Sequence, residues 1–349
     1  MFRFLRNFAL LVLAFPRYEW WLHRSWIRIC NRNEQLILAS QQNAVVCNWQ
    51  WTSELHVTQV YPTLGTRLMR RALADWPVAF ADAPVACSGP IQVSFVIGHR
   101  GIARIALLLN TLATIAAQRG VLCECIVVEQ SAVPEIRNNL PGWVRYVHTV
   151  PPTADMPYCR SWALNVGARF ARGNLLVLHD NDMLVPEAYA AELWARYQEG
   201  YKVINLKRFV FYLSEQHSRR VITSKAALTD EPVSTVVQNL EAGGSIAIER
   251  EAFFSIGGFD ESFVGWGGED NEFWERAHTH KVWPYSYLPI VHLWHPAQPE
   301  KTKLNRVTAR NFEKLSSIPP NKRIAELLQR KFGDIYRMDP EWVLQPTQK

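Results

Sequence analysis

Two acidic residues one position apart follow a short apolar run near the middle of the chain. The sequence His179-Asp180-Asn181-Asp182 comes directly after the run from Leu175 to Leu178. On an extended segment alternate side chains project to the same side, so Asp180 and Asp182 can engage one divalent cation. Hard cations take oxygen ligands and bridge diphosphate oxygens. Because aspartate is also common in turns, an ordinary surface turn is the alternative.

A glycine-rich run with a central tryptophan lies further along the chain, where residues 263–270 read FVGWGGED. Gly267 and Gly268 permit positive φ and let the backbone approach a ligand closely. Trp266 offers a flat face on which a sugar ring can stack. The run therefore predicts a binding loop.

Glu269 and Asp270 end this run and begin a predicted helix, NEFWERAHTH. The helix dipole favours carboxylates at this end and would keep Asp270 ionised, as a general base requires. Helix capping is the structural alternative, but it accounts for one acid and not for the glycines before it.

A pair of histidines, His292 and His295, follows a hydrophobic run between Pro289 and Pro296. Residues three apart on a straight strand point to opposite faces, so both imidazoles reach one metal only if the chain bends there. Two unrelated core or surface histidines are the alternative.

The elements that must position these residues alternate between strand and helix. Strand patterns at 91–100, 123–130 and 174–182 are separated by helical patterns at 102–120 and 159–173. This alternation predicts an α/β fold with a mostly parallel, doubly wound sheet.

Ligands of such sheets bind beyond the carboxyl ends of the strands. Glu129, Asp180 and Asp182 fall at predicted strand ends. We therefore expect these acids near a common site.

Residues 1–90 carry no motif that indicates chemistry. The opening MFRFLRNFALLVLAF combines arginines with an apolar run that is too short to span a bilayer, and no small-residue cleavage site follows it. Tryptophans and arginines then alternate through residues 20–28, which suits a helix lying on an anionic membrane surface. A helix docked on the protein's own core is the equal alternative.

The overall charge of +6 and a pI near 9.0 allow anionic partners. Basic residues occur in pairs rather than in a dense stripe, and no nucleic-acid-binding motif accompanies them, so we expect no nucleic-acid partner. The six cysteines show no paired spacing. A reducing, cytoplasmic location is therefore expected. The N-terminal segment adds the expectation of peripheral attachment at the inner face of the membrane.

Taken together, the motifs resemble the inverting GT-A glycosyltransferases, close to the family 2 type, with a C-terminal half similar to the β-1,4-galactosyltransferase family. The resemblance covers roughly residues 91–300. It rests on Arg160 with Leu164-Asn165-Val166-Gly167, on Asp180-Asn181-Asp182, on Gly257-Gly258-Phe259 and on Trp266 to Asp270.

The resemblance implies a metal-dependent site for Mn²⁺ or Mg²⁺. Asp182 would be the principal ligand, with Asp180 beside it. The family's late ligands are a Met and a His three apart; His292 stands at the Met position and His295 at the His position.

The resemblance also assigns roles to the remaining site residues. Asp270 would be the catalytic base, and Trp266 and Glu269 would shape the place where the donor sugar and the acceptor meet. Arg160 and Asn165 belong to the motif that this sequence shares with the family. We expect them to bind the donor together with Glu129, Asp180, Gly267 and Gly268. Asn271 stands where the family has a third acid.

The expected reaction is transfer of a hexose or N-acetylhexosamine, of galactose type, from a UDP-sugar. The acceptor would be a saccharide or a lipid-linked saccharide in surface polysaccharide or glycolipid synthesis. A nucleotidyltransferase and a non-catalytic carbohydrate-binding protein with this fold are the alternatives.

The implied fold is the GT-A (nucleotide-diphospho-sugar transferase) fold. We expect an N-terminal extension at 1–90, the GT-A domain at 91–300 and a helical tail at 301–349. The polar segment from Phe209 to Gln238 matches no motif and is a candidate acceptor loop.

Overall fold

The structure is a computed structural model that describes residues 2–39, 43–85, 88–233, 235–265, 267–296 and 305–336. The α-helices are α1 (Phe2–Ala9), α2 (Phe15–Arg24), α3 (His56–Val60), α4 (Pro62–Asp75), α5 (Ile105–Ala116), α6 (Arg160–Phe170), α7 (Tyr189–Gln198), α8 (Glu215–Thr223), α9 (Arg250–Ser255), α10 (Glu269–Ala277), α11 (Asn305–Ser316) and α12 (Pro320–Leu327). The strands are β1 (Leu36–Leu38), β2 (Val45–Cys47), β3 (Ser53–Glu54), β4 (Val93–His99), β5 (Cys123–Gln130), β6 (Arg145–Thr149), β7 (Leu175–His179), β8 (Met183–Leu184), β9 (Val203–Ile204), β10 (Lys207–Tyr212), β11 (Thr235–Gln238), β12 (Ser245–Glu249), β13 (Val282–Trp283) and β14 (Leu288–His292).

The central sheet has the strand order β13-β9-β12-β7-β4-β5-β6. β4 pairs in parallel with both β5 and β7, as the alternation of strand and helix predicted. β5 also pairs in parallel with β6, a strand that was not predicted. β12 runs antiparallel between β7 and β9, which was not predicted. The sheet is thus mixed but mostly parallel, and the predicted fold class is confirmed.

The two faces of this sheet are covered by different helices because alternate strand residues point to opposite sides. Phe95 and Ile97 of β4 join a buried cluster that includes Leu108 of α5. Val96, between them, joins a second cluster with Trp162 of α6. The carboxyl ends of the parallel strands lie at one edge of the sheet, and the polar residues that follow β4 and β7 meet there.

Cys123 and Cys125 face the same side of β5 because they are two positions apart on the strand. Cys125 is buried in the cluster that contains Phe95, and Cys123 packs against that cluster. Both are free thiols. Burial raises the pKa of Cys125, so this thiol is an apolar core residue and not a nucleophile.

A second sheet with the order β3-β11-β10-β14-β8 stands beside the first. The segment 209–238 supplies β10, β11 and the intervening α8. The two ends of the expected acceptor loop are strands, because Phe209, Phe211 and Val236 are buried in the core of this sheet. An acceptor role for the part between them stays a prediction.

The N-terminal segment is not a separate extension, which corrects the predicted unit at 1–90. β3 extends the second sheet through β11. Trp26 and Ile27 are buried in the same cluster as Phe209. The guanidinium of the buried Arg208 donates to the backbone oxygen of Ile27 at 2.6 Å. From about Tyr18 onward the segment therefore belongs to the core.

The first helix differs, because Leu5 and Phe8 of α1 are exposed. Among the residues that the structure describes, no helix is both long and apolar enough to cross a membrane.

The C-terminal segment forms two helices over its described part, as predicted. α11 and α12 both pack against α10. Leu327 of α12 is buried in the cluster with Trp162. The indole nitrogen of Trp162 also donates to the backbone oxygen of Asp334 at 2.8 Å. Residues 337–349 lie outside the described residues.

Candidate metal centre and active site

The turn with two acids and the histidine pair are brought together by strand pairing. The turn follows β7 and leads into β8, which pairs antiparallel with β14 so that Met183 faces His292. The amide of Leu293 donates to the backbone oxygen of Asp182 at 2.9 Å. Asp182 and His292 are 110 positions apart along the chain. The pairing of β8 with β14 brings them together.

The middle residue of the turn holds it against the first parallel strand. The side-chain amide of Asn181 lies 2.8 Å from Nδ1 of His99, at the end of β4. Nε2 of His99 lies 2.8 Å from the backbone oxygen of Gly101. An imidazole that accepts at Nδ1 and donates at Nε2 satisfies both contacts, so His99 anchors the turn.

Asp182, His292 and His295 form a compact group of three candidate ligands. Oδ1 of Asp182 lies 3.6 Å from Nε2 of His292, and its Oδ2 lies 3.1 Å from Nε2 of His295. One ligand atom from each residue lies within 4.8 Å of the other two. β14 ends at His292. The chain then leaves the strand, so both imidazoles reach the same carboxylate.

The protonation of this group suits a metal ion. Burial alone would raise the pKa of Asp182, but His292, His295 and Arg104 outweigh it and lower the pKa to about 2. Burial lowers the pKa of His292 against the opposing charge of Asp182. An ionised carboxylate and a neutral imidazole are the forms in which Asp182 and His292 would bind a metal.

The ring of His292 stacks on Tyr212 at a centroid distance of 4.3 Å and an angle of 23°. Within the described part of the chain, its buried Nδ1 has no hydrogen-bond partner. The donor set of one carboxylate and two imidazoles fits Mn²⁺ and similar borderline cations better than a site made only of oxygen would.

Asp180 is not one of this group of three, and its predicted role as a metal ligand stays a prediction. Its Oδ1 accepts from Nε and Nη2 of Arg160 at 2.9 and 2.7 Å. Arg160 is the first residue of α6, the helix that precedes β7. Its guanidinium reaches the turn that follows β7. The charge of Asp180 is thus balanced by a guanidinium.

Arg160 also contacts the second acidic motif. Its Nη1 donates to Oδ1 of Asp270 at 2.6 Å, so one guanidinium bridges Asp180 and Asp270. Burial would lower the pKa of Arg160, but these two carboxylates outweigh it and raise the pKa well above its ordinary value. Arg160 is therefore a permanent cation between the turn and α10.

Glu269 and Asp270 open α10, as predicted, and differ in environment. Glu269 is only 7% exposed and accepts from the amide of Gly267 at 3.0 Å. Burial and the neighbouring Asp270 raise the pKa of Glu269 to about 7. The side chain of Asp270 is 26% exposed and faces Arg160.

Burial also raises the pKa of Asp270, although Arg160 opposes the shift. The expectation that the helix dipole alone would keep Asp270 ionised is therefore too simple, because desolvation works against it. A carboxylate with a raised pKa is a stronger base once it is ionised.

Asp270 is seated against a glycine that the sequence had not singled out. Gly243 has φ of +80°, and a Cβ there would lie 2.8 Å from Oδ2 of Asp270. The pair Gly243-Gly244 just before β12 was the signal that could have revealed this contact.

The predicted glycines of the FVGWGGED run do have positive φ, 103° at Gly267 and 92° at Gly268. A Cβ at Gly268 would meet Cβ of Phe312 at 3.0 Å, so this glycine admits α11. Gly268 is therefore a close packing position, and its predicted contact with a donor stays a prediction. Trp266, the predicted stacking residue, lies outside the described residues.

A buried lysine completes the site and was missed. Nζ of Lys207 donates to the backbone oxygen of Ser245 at 2.5 Å. Burial lowers the pKa of Lys207 to about 7, while Asp270 and Asp180 oppose the shift. A lysine at the start of the apolar strand KRFVFY was its only trace in the sequence.

Asn165 was predicted to bind the donor, but its amide is fully engaged inside the protein. It donates to the backbone oxygen of Phe259 and to Oε1 of Glu261, both at 2.9 Å, and accepts from the amide of Phe259 at 2.8 Å. Asn165 therefore holds the turn before the FVGWGGED run in place.

Glu129 is likewise engaged within the chain. Its oxygens accept from Tyr146 at 2.6 Å, Ser131 at 2.9 Å and the amide of Glu135 at 2.9 Å. Burial would raise the pKa of Glu129, but these hydrogen bonds outweigh it and lower the pKa. Glu129 orders the loop after β5, and a direct contact with a donor is not favoured.

Comparison with known proteins adds an independent observation about this region. Residues 238–289 match the Glyco_transf_7C family, described as the N-terminal domain of galactosyltransferase. This segment contains Gly243, Glu269 and Asp270. The match thus falls on the part of the site that contains these two acids.

Individual sequence relatives also carry the names of galactosyl- or N-acetylgalactosaminyltransferases. Human chondroitin sulfate N-acetylgalactosaminyltransferase 1 is 28% identical over 173 residues, which cover 45% of this chain and 30% of the relative. Rat β-1,4-galactosyltransferase 4 is 45% identical over 40 residues, 12% of each chain. This chain thus spans less than a third of the length of these relatives.

Among solved structures, GalNAc-T7 with UDP, GalNAc and Mn²⁺ has a TM-score of 0.45 and 17% identity, covering 71% of this chain and 56% of that chain. The family match and the sequence relatives confirm the predicted resemblance of this chain to glycosyltransferases of the galactosyl and N-acetylgalactosaminyl type.

Proposed function

We propose that this protein is a metal-dependent, inverting glycosyltransferase that moves a sugar from a nucleoside diphosphate donor to an acceptor hydroxyl. The observation that carries the proposal is the bridge made by Arg160. It joins Asp180, next to the three candidate metal ligands, to Asp270, at the start of α10. This contact supports a diphosphate site beside a catalytic base.

The residues that would hold the metal are Asp182, His292 and His295. When bound there, Mn²⁺ or Mg²⁺ would neutralise the charge that develops on the departing diphosphate. Mixed carboxylate and imidazole ligands favour Mn²⁺. Asp180 serves the site by keeping Arg160 in position.

Asp270 takes the proton from the acceptor hydroxyl as that hydroxyl attacks the anomeric carbon. Its partial exposure, its raised pKa and its position beside Arg160 support this role. Glu269 is more deeply buried and bound to the amide of Gly267, so it orders the loop. A single displacement inverts the anomeric configuration, and an α-linked donor gives a β-glycoside.

The sequence relatives support the proposed substrate class. Their names combine galactosyl and N-acetylgalactosaminyl transfer, which supports a hexose or N-acetylhexosamine of galactose type. The donor in this proposal is UDP-linked. The acceptor in this proposal is a saccharide or lipid-linked saccharide of a surface polysaccharide or glycolipid.

Attachment to the inner face of a membrane is a second part of the proposal. Leu5, Phe8 and Val12 are exposed near the N-terminus, and Trp20 is exposed beneath the guanidinium of Arg24, 3.2 Å from its ring. Residues 1–32 contain six arginines and one acid. Exposed apolar side chains flanked by arginines suit the interface of an anionic bilayer.

The direct test is a screen of purified protein against nucleotide sugars with Mn²⁺, read by nucleotide release with and without saccharide acceptors. We expect acceptor-dependent release of UDP from a galactose-type donor. Asp270→Asn is the matched control, because it should keep nucleotide binding and lose release. Nucleotide binding without any transfer would favour the carbohydrate-binding alternative. Release of pyrophosphate from a nucleoside triphosphate and sugar phosphate would instead indicate a nucleotidyltransferase.

A further inference from the structure

Arg104, immediately before α5, brings a cation to the three candidate metal ligands. Its Nη2 lies 2.9 Å from Nδ1 of His295, and its Nη1 lies 3.8 Å from Oδ2 of Asp182. The side chain is 21% exposed, so part of the guanidinium is accessible from outside. Nothing in the sequence motifs singled out this residue.

The charges around the group of three explain why this position matters. Asp182 supplies its one carboxylate, and Arg104 balances that charge. Asp180 and Asp270 share the single guanidinium of Arg160, so these three side chains together carry a net negative charge. A divalent cation bound by Asp182 beside Arg104 still leaves an excess of positive charge, which a diphosphate can balance.

We propose that Arg104 couples metal binding to diphosphate binding. In the free protein the guanidinium contacts Asp182 and His295 and opposes a metal that binds alone. When a metal and a nucleoside diphosphate bind together, the guanidinium turns to a phosphate oxygen. This inference rests on the proposed function and adds to it a residue and an order of binding.

Two further features support the coupling. The planar guanidinium matches phosphate oxygens with paired N–H donors, which an ammonium does not. The twelve-residue helix α5 begins at Ile105, directly after Arg104. Its N-terminal dipole favours an anion at the same place.

The expected size of the effect follows from charge repulsion. A unit charge roughly 6 Å from a divalent ion corresponds to about tenfold in affinity, even at the dielectric constant of water. Arg104→Gln should therefore bind Mn²⁺ alone about tenfold more tightly. It should bind UDP in the presence of Mn²⁺ about tenfold more weakly, since a charge-assisted hydrogen bond is lost.

The experiment uses the full chain and isothermal titration with Mn²⁺ alone, with UDP in EDTA, and with UDP at saturating Mn²⁺. Arg104→Lys keeps the charge, so its affinity for Mn²⁺ alone should stay near that of the unaltered protein. Arg119→Gln is the matched control. Arg119 pairs with Glu187 at 3.1 Å on the surface and is 71% exposed, so all three titrations should be unchanged. Thermal unfolding checks that each variant is folded.

The outcomes separate this inference from the function on which it rests. If the unaltered protein binds neither Mn²⁺ nor UDP, both proposals fall. If it binds both and Arg104→Gln gives the same three isotherms, only the coupling is overturned. Weaker binding of Mn²⁺ alone by folded Arg104→Gln would also overturn it, since Arg104 would then merely support the ligands. The coupling factor must be the same whichever ligand is added first.

Discussion

Replacing Asp270 by Asn removes a proton acceptor while leaving the surrounding contacts almost intact. Asn retains a side-chain oxygen at the position that accepts from Nη1 of Arg160 at 2.6 Å. Arg160 also keeps both of its hydrogen bonds to Asp180, at 2.9 and 2.7 Å, so its orientation should survive. The perturbation is therefore confined to the base.

General-base assistance contributes about 10²- to 10⁴-fold, and kcat for sugar transfer should fall by that factor. The affinity for UDP with Mn²⁺ should change less than about fivefold, because only a partly exposed ion pair is altered. Thermal stability should not fall. The pKa of Asp270 is raised in the folded protein, so its ionised form costs folding free energy at pH 8, and Asn carries no such cost.

The assay is nucleotide release at saturating donor and acceptor, together with UDP titration and thermal unfolding of the same preparation. Glu269→Gln is the control, since Gln can still accept from the amide of Gly267 and should lose less than about tenfold in kcat. If Glu269→Gln abolishes turnover while Asp270→Asn is nearly normal, the base has been assigned to the wrong acid. If neither change matters, the FVGWGGED run is a structural turn and helix cap.

Three further predictions address the metal, the N-terminus and a buried acid. Asp182→Ala should abolish Mn²⁺-dependent UDP binding in titration, whereas full turnover by the unaltered protein after exhaustive chelation would contradict a metal requirement. Deleting residues 1–14 should preserve the melting temperature and weaken co-sedimentation with anionic vesicles. Deleting residues 1–30 should unfold the protein, because Trp26 and Ile27 are buried. Unchanged vesicle binding after the shorter deletion would count against attachment to a membrane surface. Burial raises the pKa of Glu261 to about 7, so the stability that its protonated form contributes is lost as the pH rises from the ordinary carboxyl pKa through 7. Glu261→Gln should therefore melt higher than the unaltered protein at pH 8 but not at pH 4. Equal melting temperatures at both pH values would refute this.

The sequence by itself determined the elements around the site and most of the acids in it. β4, β5 and β7 follow from local apolar runs, and α6 and α10 from helical periodicity and acids at a helix start. These signals are local, so no partner element is needed to read them. For the same reason Asp182 and Asp270 could be singled out before their surroundings were known.

The tertiary structure decided which of these residues meet. His292 and His295 reach Asp182 only because β14 pairs with β8 and the chain then leaves the strand, a contact that spacing alone leaves open. Asp180 and Asp182 lie in the same short motif, yet Asp180 is paired with the guanidinium of Arg160 on α6. Separation along the sequence does not show that these two side chains meet.

Arg104 and Lys207 could not be found from local pattern, and the Gly243-Gly244 pair does not show its partner, because each residue acts through a contact with a distant segment. Their significance lies in burial and charge, which are properties of the folded arrangement: Arg104 beside Asp182, Lys207 near Asp270, and Gly243 where a Cβ would collide with a carboxylate. Local residue type decides which helices and strands can form, whereas the electrostatics of a site depend on where packing removes water and brings charges together.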